Sequence, residues 1–257
     1  MKVVLLAGGF GSRISEESVF KPKPMIEIGG MPILWHIMKE YAYYGHNEFI
    51  ICEGYKQEYL KEWFGNYFLY NSDVSFDFRG GKHEMTVHHS QLEDWKVTVV
   101  DTGYNTMTGG RIKRIQEYVG NKPFLMTYGY GVCDVDINKL IAFHQLHGKI
   151  ATLTAVKQAQ DKGVLEIGGN QAVKAFREKN VNDGAPINAG YMVLEPAIFE
   201  YITDDTCVFE REPLQKLVER GELMSFIHEG FWQCMDNVRE KALLEKLLEA
   251  EKAPWKK

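Results

Sequence analysis

Cysteine is scarce and scattered. Cys52, Cys133, Cys207 and Cys234 are the four in 257 residues, and none belongs to a CxxC pair. That spacing speaks against a disulfide framework and against a thiolate zinc site. Positive charge is also short. Thirty Lys and Arg face 35 Asp and Glu, a formal charge of -5, so no general affinity for nucleic acid or an anionic membrane is expected. No apolar run approaches the roughly 20 residues that span a bilayer. Met1-Lys2 leads straight into a strand-like run with no signal-peptide pattern, so a cytoplasmic location is expected. Internal repeats, low-complexity tracts and linkers are absent too. One domain over residues 1–257 is the expectation.

What is present alternates. Val3–Ala7 is a short apolar run stopped by Gly8-Gly9, the signature of a buried strand. Met25–Ile28 is a second extended piece. Pro32 suits a helix start, and Ile33, His36, Ile37 and Tyr41 follow at helical spacing. Glu48–Cys52 reads as a strand and Gln57–Tyr67 as a helix. After an interruption, Phe124–Tyr128, Ala151–Val156, Val164–Ile167 and Gly190–Leu194 read as strands, with a helix over Ile137–His147. The alternation predicts an α/β fold with a mainly parallel central sheet. Residues 72–100 break the rhythm and read as added β-hairpins. Residues 238–252 read as an amphipathic C-terminal helix.

The densest signal is L-L-A-G-G-F-G-S-R-I-S-E-E-S-V-F-K-P-K-P-M, residues 5–25. A glycine-rich turn after a first strand lets backbone N–H groups approach a polyphosphate. The spacing fits neither the dinucleotide fingerprint nor a Walker loop. It adds three cations instead, Arg13, Lys21 and Lys23. Pro22 and Pro24 fix φ around the lysines. Such a segment suits chemistry in which developing negative charge must be met at one place.

L-A-G-G-F-G-S-R-I with K-P-K-P-M resembles the signature of the sugar-1-phosphate nucleotidyltransferases. I-E-I-G-G-M-P-I-L-W-H-I-M (26–38), V-D-T-G (100–103), M-T-G-G-R-I-K-R (107–114), E-P-L (212–214), G-F-W-Q-C-M-D (230–236) and A-P-W-K (253–256) extend the likeness over essentially the whole chain. They resemble the branch that makes CDP-glucose from CTP and glucose 1-phosphate. The resemblance implies a Rossmann-like nucleotidyltransferase fold, Mg²⁺ and a homo-oligomer. It places CTP on Leu6, Ala7, Gly8, Gly9, Gly11 and Ser12, with Arg13 on its phosphates. Lys23 would stabilise charge at the α-phosphate and Lys21 would reinforce the site. Gly109, Gly110 and Arg111 would contribute to the cytidine pocket. Glu178 and Lys179 would meet the sugar phosphate, with Gly129, Asn188 and Gly190 beside the sugar. Asp236 would hold the metal.

One stretch departs from the family. Residues 127–134 read T-Y-G-Y-G-V-C-D, where the family has Y-G-D-G and uses the aspartate on the metal. Tyr130 stands there, and a phenol, with its ordinary pKa near 10, is a poor ligand for magnesium. Asp134 and Asp136 lie close by in sequence. Cys234 replaces a proline, Asn180-Val181 replaces Pro-Lys, and Asp161-Lys162-Gly163 replaces an arginine-aromatic-glycine turn. These changes gather at the sugar and metal positions. They keep two alternatives open: transfer to another sugar phosphate, and a nucleotide-binding protein with degraded catalysis. His36 reads as a core residue, His88-His89 as a solvated or interface pair, and Cys133 as a buried thiol rather than a nucleophile.

Overall fold

The computed structural model describes residues 1–10, 14, 21–157, 164–167, 173–177 and 186–257. The strands are Lys2–Leu6 (β1), Glu27–Ile28 (β2), Met31–Pro32 (β3), Glu48–Glu53 (β4), Ser72–Asp77 (β5), Glu84–Ser90 (β6), Lys96–Asp101 (β7), Phe124–Tyr128 (β8), Gly131–Cys133 (β9), Ala151–Lys157 (β10), Val164–Ile167 (β11), Val173–Arg177 (β12), Pro186–Leu194 (β13), Leu223–His228 (β14) and Trp232–Cys234 (β15). The helices are Ile33–Tyr43 (α1), Gln57–Tyr70 (α2), Thr108–Arg114 (α3), Gln116–Val119 (α4), Ile137–His147 (α5), Glu212–Glu219 (α6) and Val238–Glu249 (α7).

Seven strands form the central sheet in the order β14-β10-β13-β8-β1-β4-β7. The β1–β4, β1–β8, β4–β7 and β10–β14 pairs are parallel, and β13 runs antiparallel to both its neighbours. This is the mainly parallel α/β sheet that the alternation implied. Its inner strands are apolar on both faces because both faces are covered. Val3, Leu5, Phe49, Ile51, Leu125 and Val193 point to one side, onto Ile33, Ile37 and Tyr41 of α1. Val4, Leu6, Ile50, Cys52, Met126 and Met192 point to the other, onto Ile112 and Phe209. Each such side chain contributes roughly 1.5–3 kcal/mol on burial.

One expectation changes. The hairpin is confined to β5 and β6. β7, read as part of it, is the edge strand of the central sheet, parallel to β4. Its alternation places Val97 and Val99 against one core and Val100 against the other, and that burial outweighs its nearness to the hairpin. In M-T-G-G-R, Gly109 and Gly110 are helical, inside α3. A Cβ at Gly109 would lie 2.7 Å from the Cys207 carbonyl oxygen, and one at Gly110 would lie 2.6 Å from the Asp205 Cα. Close packing of a helix against a loop decides these glycines.

The C-terminal helix starts at Asn237, whose side chain accepts from the Glu240 N–H at 3.0 Å. Leu244 is its buried anchor. His36 is a satisfied core residue, its Nε2 2.9 Å from the Ile28 carbonyl. Cys133 is buried and its thiol is pushed well up by desolvation. Among the described residues, no helix is long and apolar enough to cross a membrane.

Candidate active site

The carboxyl ends of β1 and β8 open into a cavity of about 740 Å³. This is where parallel α/β sheets place ligands. Leu6, Ala7, Gly8 and Gly9 form one wall, Lys23 and Pro24 another, and Tyr128, Tyr130, Asn188 and Glu210 face them. A smaller annex of about 190 Å³ shares Tyr128, Tyr130 and Asn188 and is closed by Trp232, Cys234 and Asp236. A larger cavity, about 1000 Å³, lies at the other end of the sheet around Lys2, Glu48 and Lys96. It has none of the glycine-loop residues, so the first is the candidate site.

Lys23 starts a short 3-10 turn, Lys23–Met25, between Pro22 and Pro24. The fixed φ of those prolines holds its backbone. Its side chain is 6% exposed and forms an ion pair with Asp236, which β15 and the start of α7 position. The Glu240 carboxylate accepts from the Asp236 N–H at 2.5 Å, fixing that loop. Lys21 points elsewhere and pairs with Glu27.

Arg111 turns away from solvent and is 5% exposed. Its guanidinium donates to the carbonyls of Glu53 (2.9 Å), Gly103 (2.9 Å), Gly8 (2.9 Å) and Tyr104 (3.4 Å), and to the Thr102 hydroxyl (2.8 Å). It ties the glycine loop to the ends of β4 and β7. Gly8 and Gly54 admit it: a Cβ at either would lie 2.3 or 2.4 Å from its Nη1. Gly110 packs on Asp205, while Arg111 lines the cavity.

On the opposite wall Tyr128 donates to Glu210, and Glu210 also accepts from the Thr108 hydroxyl at 2.6 Å. The Tyr128 ring lies over Gly190 (φ 86°), where a Cβ would be 2.4 Å from the ring. Asn188 accepts from the Gly190 N–H at 2.8 Å. The Gly129 N–H donates to the Leu6 carbonyl at 3.0 Å, joining β8 to β1 at the cavity floor. Gly11, Ser12, Arg13, Glu178 and Lys179 lie outside the described residues, as do Asp161, Lys162, Gly163, Asn180 and Val181. Tyr128, Glu210 and Thr108 were not singled out from the sequence. Their cue is weak, a lone acid before E-P-L and a tyrosine at a strand end. Asp134, near Tyr130 in sequence, is spent elsewhere: it accepts from His228 at 2.8 Å and the Phe231 N–H at 2.7 Å.

The sequence of the whole chain now has its counterpart. A model of nucleotidyl transferases matches residues 2–240. The chain belongs to the nucleotidyl transferase family. It is 54% identical over 257 residues to glucose-1-phosphate cytidylyltransferase of Salmonella typhimurium, covering 100% of this chain and 99% of that protein. It is 41% identical, with the same coverage, to a probable glucose-1-phosphate cytidylyltransferase of Bacillus subtilis. In fold, this nucleotidyl transferase resembles HddC from Yersinia pseudotuberculosis, with a TM-score of 0.71 at 22% identity over 96% of this chain and 99% of that one. UDP-glucose pyrophosphorylase complexed with UDP-glucose gives a TM-score of 0.69 at 16% identity, over 97% and 98%.

Burial also holds a proton on one group behind the nucleotidyl transferase cavity. Glu53 is fully buried, and neither side-chain oxygen accepts a well-formed hydrogen bond among the described residues. Desolvation raises its carboxyl from an ordinary 4.5 to about 8, only partly offset by the Gly54 N–H and the Arg111 charge. Between those values the folded chain holds a proton that the unfolded chain has released. Stability is therefore full below pH 4.5 and is lost as pH rises through 8. Glu53→Gln should flatten that loss, by up to about 3 kcal/mol between pH 5 and 8, in urea melts across the range. Equal pH slopes in both proteins would refute it.

Proposed function

We propose that the chain transfers a cytidylyl group from CTP to glucose 1-phosphate, giving CDP-glucose and pyrophosphate. The observation that carries this is the Lys23–Asp236 pair, its buried lysine lining the nucleotide cavity and its aspartate the annex, in a chain 54% identical to a protein of that name. An intact cation there also argues against a merely nucleotide-binding role. A phosphate oxygen of the sugar phosphate bonds to the α-phosphorus while the bond to the β-phosphate oxygen breaks. Pyrophosphate carries the electron pair away. Positioning and charge neutralisation dominate such transfers, and no protein nucleophile is needed. Cys234 is unsuited to be one, since burial and then the Asp236 and Glu240 charges push its thiol up to about 12.

In this reading the glycine loop, with Gly11, Ser12 and Arg13, binds the nucleotide phosphates. Glu178 and Lys179 meet the sugar phosphate, with Asn188 and Gly190 beside the sugar. Lys23 meets charge developing at the α-phosphate. Lys21, paired with Glu27, supports the loop from outside the cavity. Oxygen atoms of Asp236 and Glu240 and the Cys234 sulfur lie within 4.8 Å of one another. Two carboxylates suit a divalent cation that takes its other ligands from water and phosphate, so Asp236 and Glu240 would hold Mg²⁺. When bound, the ion supplies neutralisation of the phosphates.

Pyrophosphate release, measured with each nucleoside triphosphate against a panel of sugar 1-phosphates, tests the assignment. CTP with glucose 1-phosphate should give the highest kcat/KM. Preference for another nucleotide or sugar would overturn it.

The protein is read as a single catalytic domain that self-associates in the cytoplasm. β5 and β6 are exposed, and Val74, Phe76, Met85 and Val87 share one face of the ribbon. A two-stranded ribbon needs such a face covered, and a second copy is the proposed cover. Phe76→Asp with Val87→Asp should lower the mass seen by light scattering. An unchanged mass, or a monomeric parent, would remove the hairpin from the interface.

A further inference from the structure

Lysine is a poor choice where a charge must be placed to within half an ångström. Its stem has four rotatable bonds, and fixing them costs entropy. The Pro22 and Pro24 frame holds the Lys23 backbone but not its ammonium. Among the described residues, Asp236 and Tyr130 are seen to hold the ammonium. Asp236 does so through the ion pair. Tyr130 does so through its ring, whose centroid lies 3.6 Å below the Lys23 nitrogen. That is well within the roughly 6 Å over which a ring face attracts a cation.

We propose that Tyr130 is a positioning residue for the transfer, its ring face seating the Lys23 ammonium against Asp236. The proposal rests on the reading of Lys23 as the charge that meets the α-phosphate. The ring is itself anchored. The Tyr130 carbonyl accepts from the Met235 N–H at 2.8 Å, which binds its strand end to the loop that carries Asp236. Its ring lies 5.8 Å from that of Tyr128, and Tyr128 is fixed by Glu210 and Gly190. A rigid wall thus runs from Thr108 through Glu210 and Tyr128 to Tyr130.

The charge balance explains why a neutral ring suits this place. Lys23 and Asp236 cancel, and Glu240 beside Asp236 already adds a negative charge. A further carboxylate at 130 would compete with the phosphates for the Lys23 ammonium. An aromatic face orients the cation without cancelling it. The contact with Lys23 is made by the ring face, so the ring and not the oxygen should matter. A residue that merely filled space would behave differently, since any apolar side chain of similar size would then serve.

The test varies the ring's electrostatics at nearly constant shape. Tyr130→Phe, made with zero, one, two or three ring fluorines, weakens the quadrupole stepwise. The unfluorinated variant should keep kcat within about twofold, and kcat should fall with each fluorine, to about tenfold lower at three, a cation–π contribution of about 1.4 kcal/mol. KM for CTP should stay within about threefold. A flat series, or a large loss already at the unfluorinated variant, would overturn the proposal. A second measurement needs no turnover. Lys23 Hε protons, seen by NMR in protein carrying ¹³C-lysine, should be shifted upfield by the ring current and should return on Tyr130→Leu. Lys23 at an ordinary lysine position in the parent would overturn the seat. If the parent releases no pyrophosphate with any sugar phosphate, the proposed function fails, and this shift still decides the seat.

Discussion

Lys23→Ala should lower kcat by about 10²–10³-fold while changing the Kd for CTP by less than about tenfold. The asymmetry follows from where the ammonium lies. It lines the nucleotide cavity and pairs with Asp236, which lines the annex, so its field is used most when charge grows on a phosphorus beside that pair. An interaction stronger in the transition state than in the ground state appears in kcat. Removing the lysine also strands the Asp236 carboxylate, so the effects of Lys23→Ala and Asp236→Asn should not add. Steady-state kinetics combined with calorimetric CTP binding measures both quantities. Equal losses in kcat and in CTP affinity would make Lys23 a ground-state contact and remove it from the chemistry.

Arg111→Ala should destabilise the fold by about 3–5 kcal/mol, among the largest effects of any single substitution here. The guanidinium satisfies four carbonyls and a hydroxyl from three separate segments. Deleting it leaves those acceptors short of donors and opens a void under Gly8 and Gly54. Arg111→Lys should recover little, because an ammonium cannot reproduce the planar fork. The midpoint of urea unfolding, at unchanged slope, reads the loss. A shift below about 1 kcal/mol would mean that water replaces the guanidinium without cost. CTP affinity should fall too, since the loop proposed to receive the phosphates loses its rear support.

The contrast between these two cations shows what the sequence could tell. Lys23 was legible as a candidate because prolines stand on both sides and a glycine turn before them. Asp236 was a candidate from a motif, and the fold brings it against Lys23. The inner strands were legible because Val3–Ala7, Glu48–Cys52 and Phe124–Tyr128 are short apolar runs, as burial on both faces requires. Arg111 was legible as important, but its geometry was not. Nothing in T-G-G-R says that the arginine points inward to carbonyls up to 103 residues away. The helical glycines at 109 and 110 depend on a loop at 205–207. Glu210 meets Tyr128 across 82 residues, so no local pattern could announce that wall. Tyr130 stood out as a missing carboxylate, and its positive use became visible once Lys23 was found on its face.

The antiparallel strand β13 has a consequence for motion. It meets β10 along its length, from Pro186 to Leu194, but meets β8 through Met192, Val193 and Leu194. The sheet is therefore laced most lightly between β8 and β13, and the cavity straddles that seam, with Leu6 and Lys23 on one side and Asn188 on the other. Local opening follows the weakest lacing. Amide protons of β10 and β14 are thus expected to exchange together, sooner than those of β1 and β4. CTP alone, held on one bank, should slow that exchange little. A nucleotide sugar reaching across to Asn188 would lace the seam shut, so release of the product and breathing of the sheet become one event.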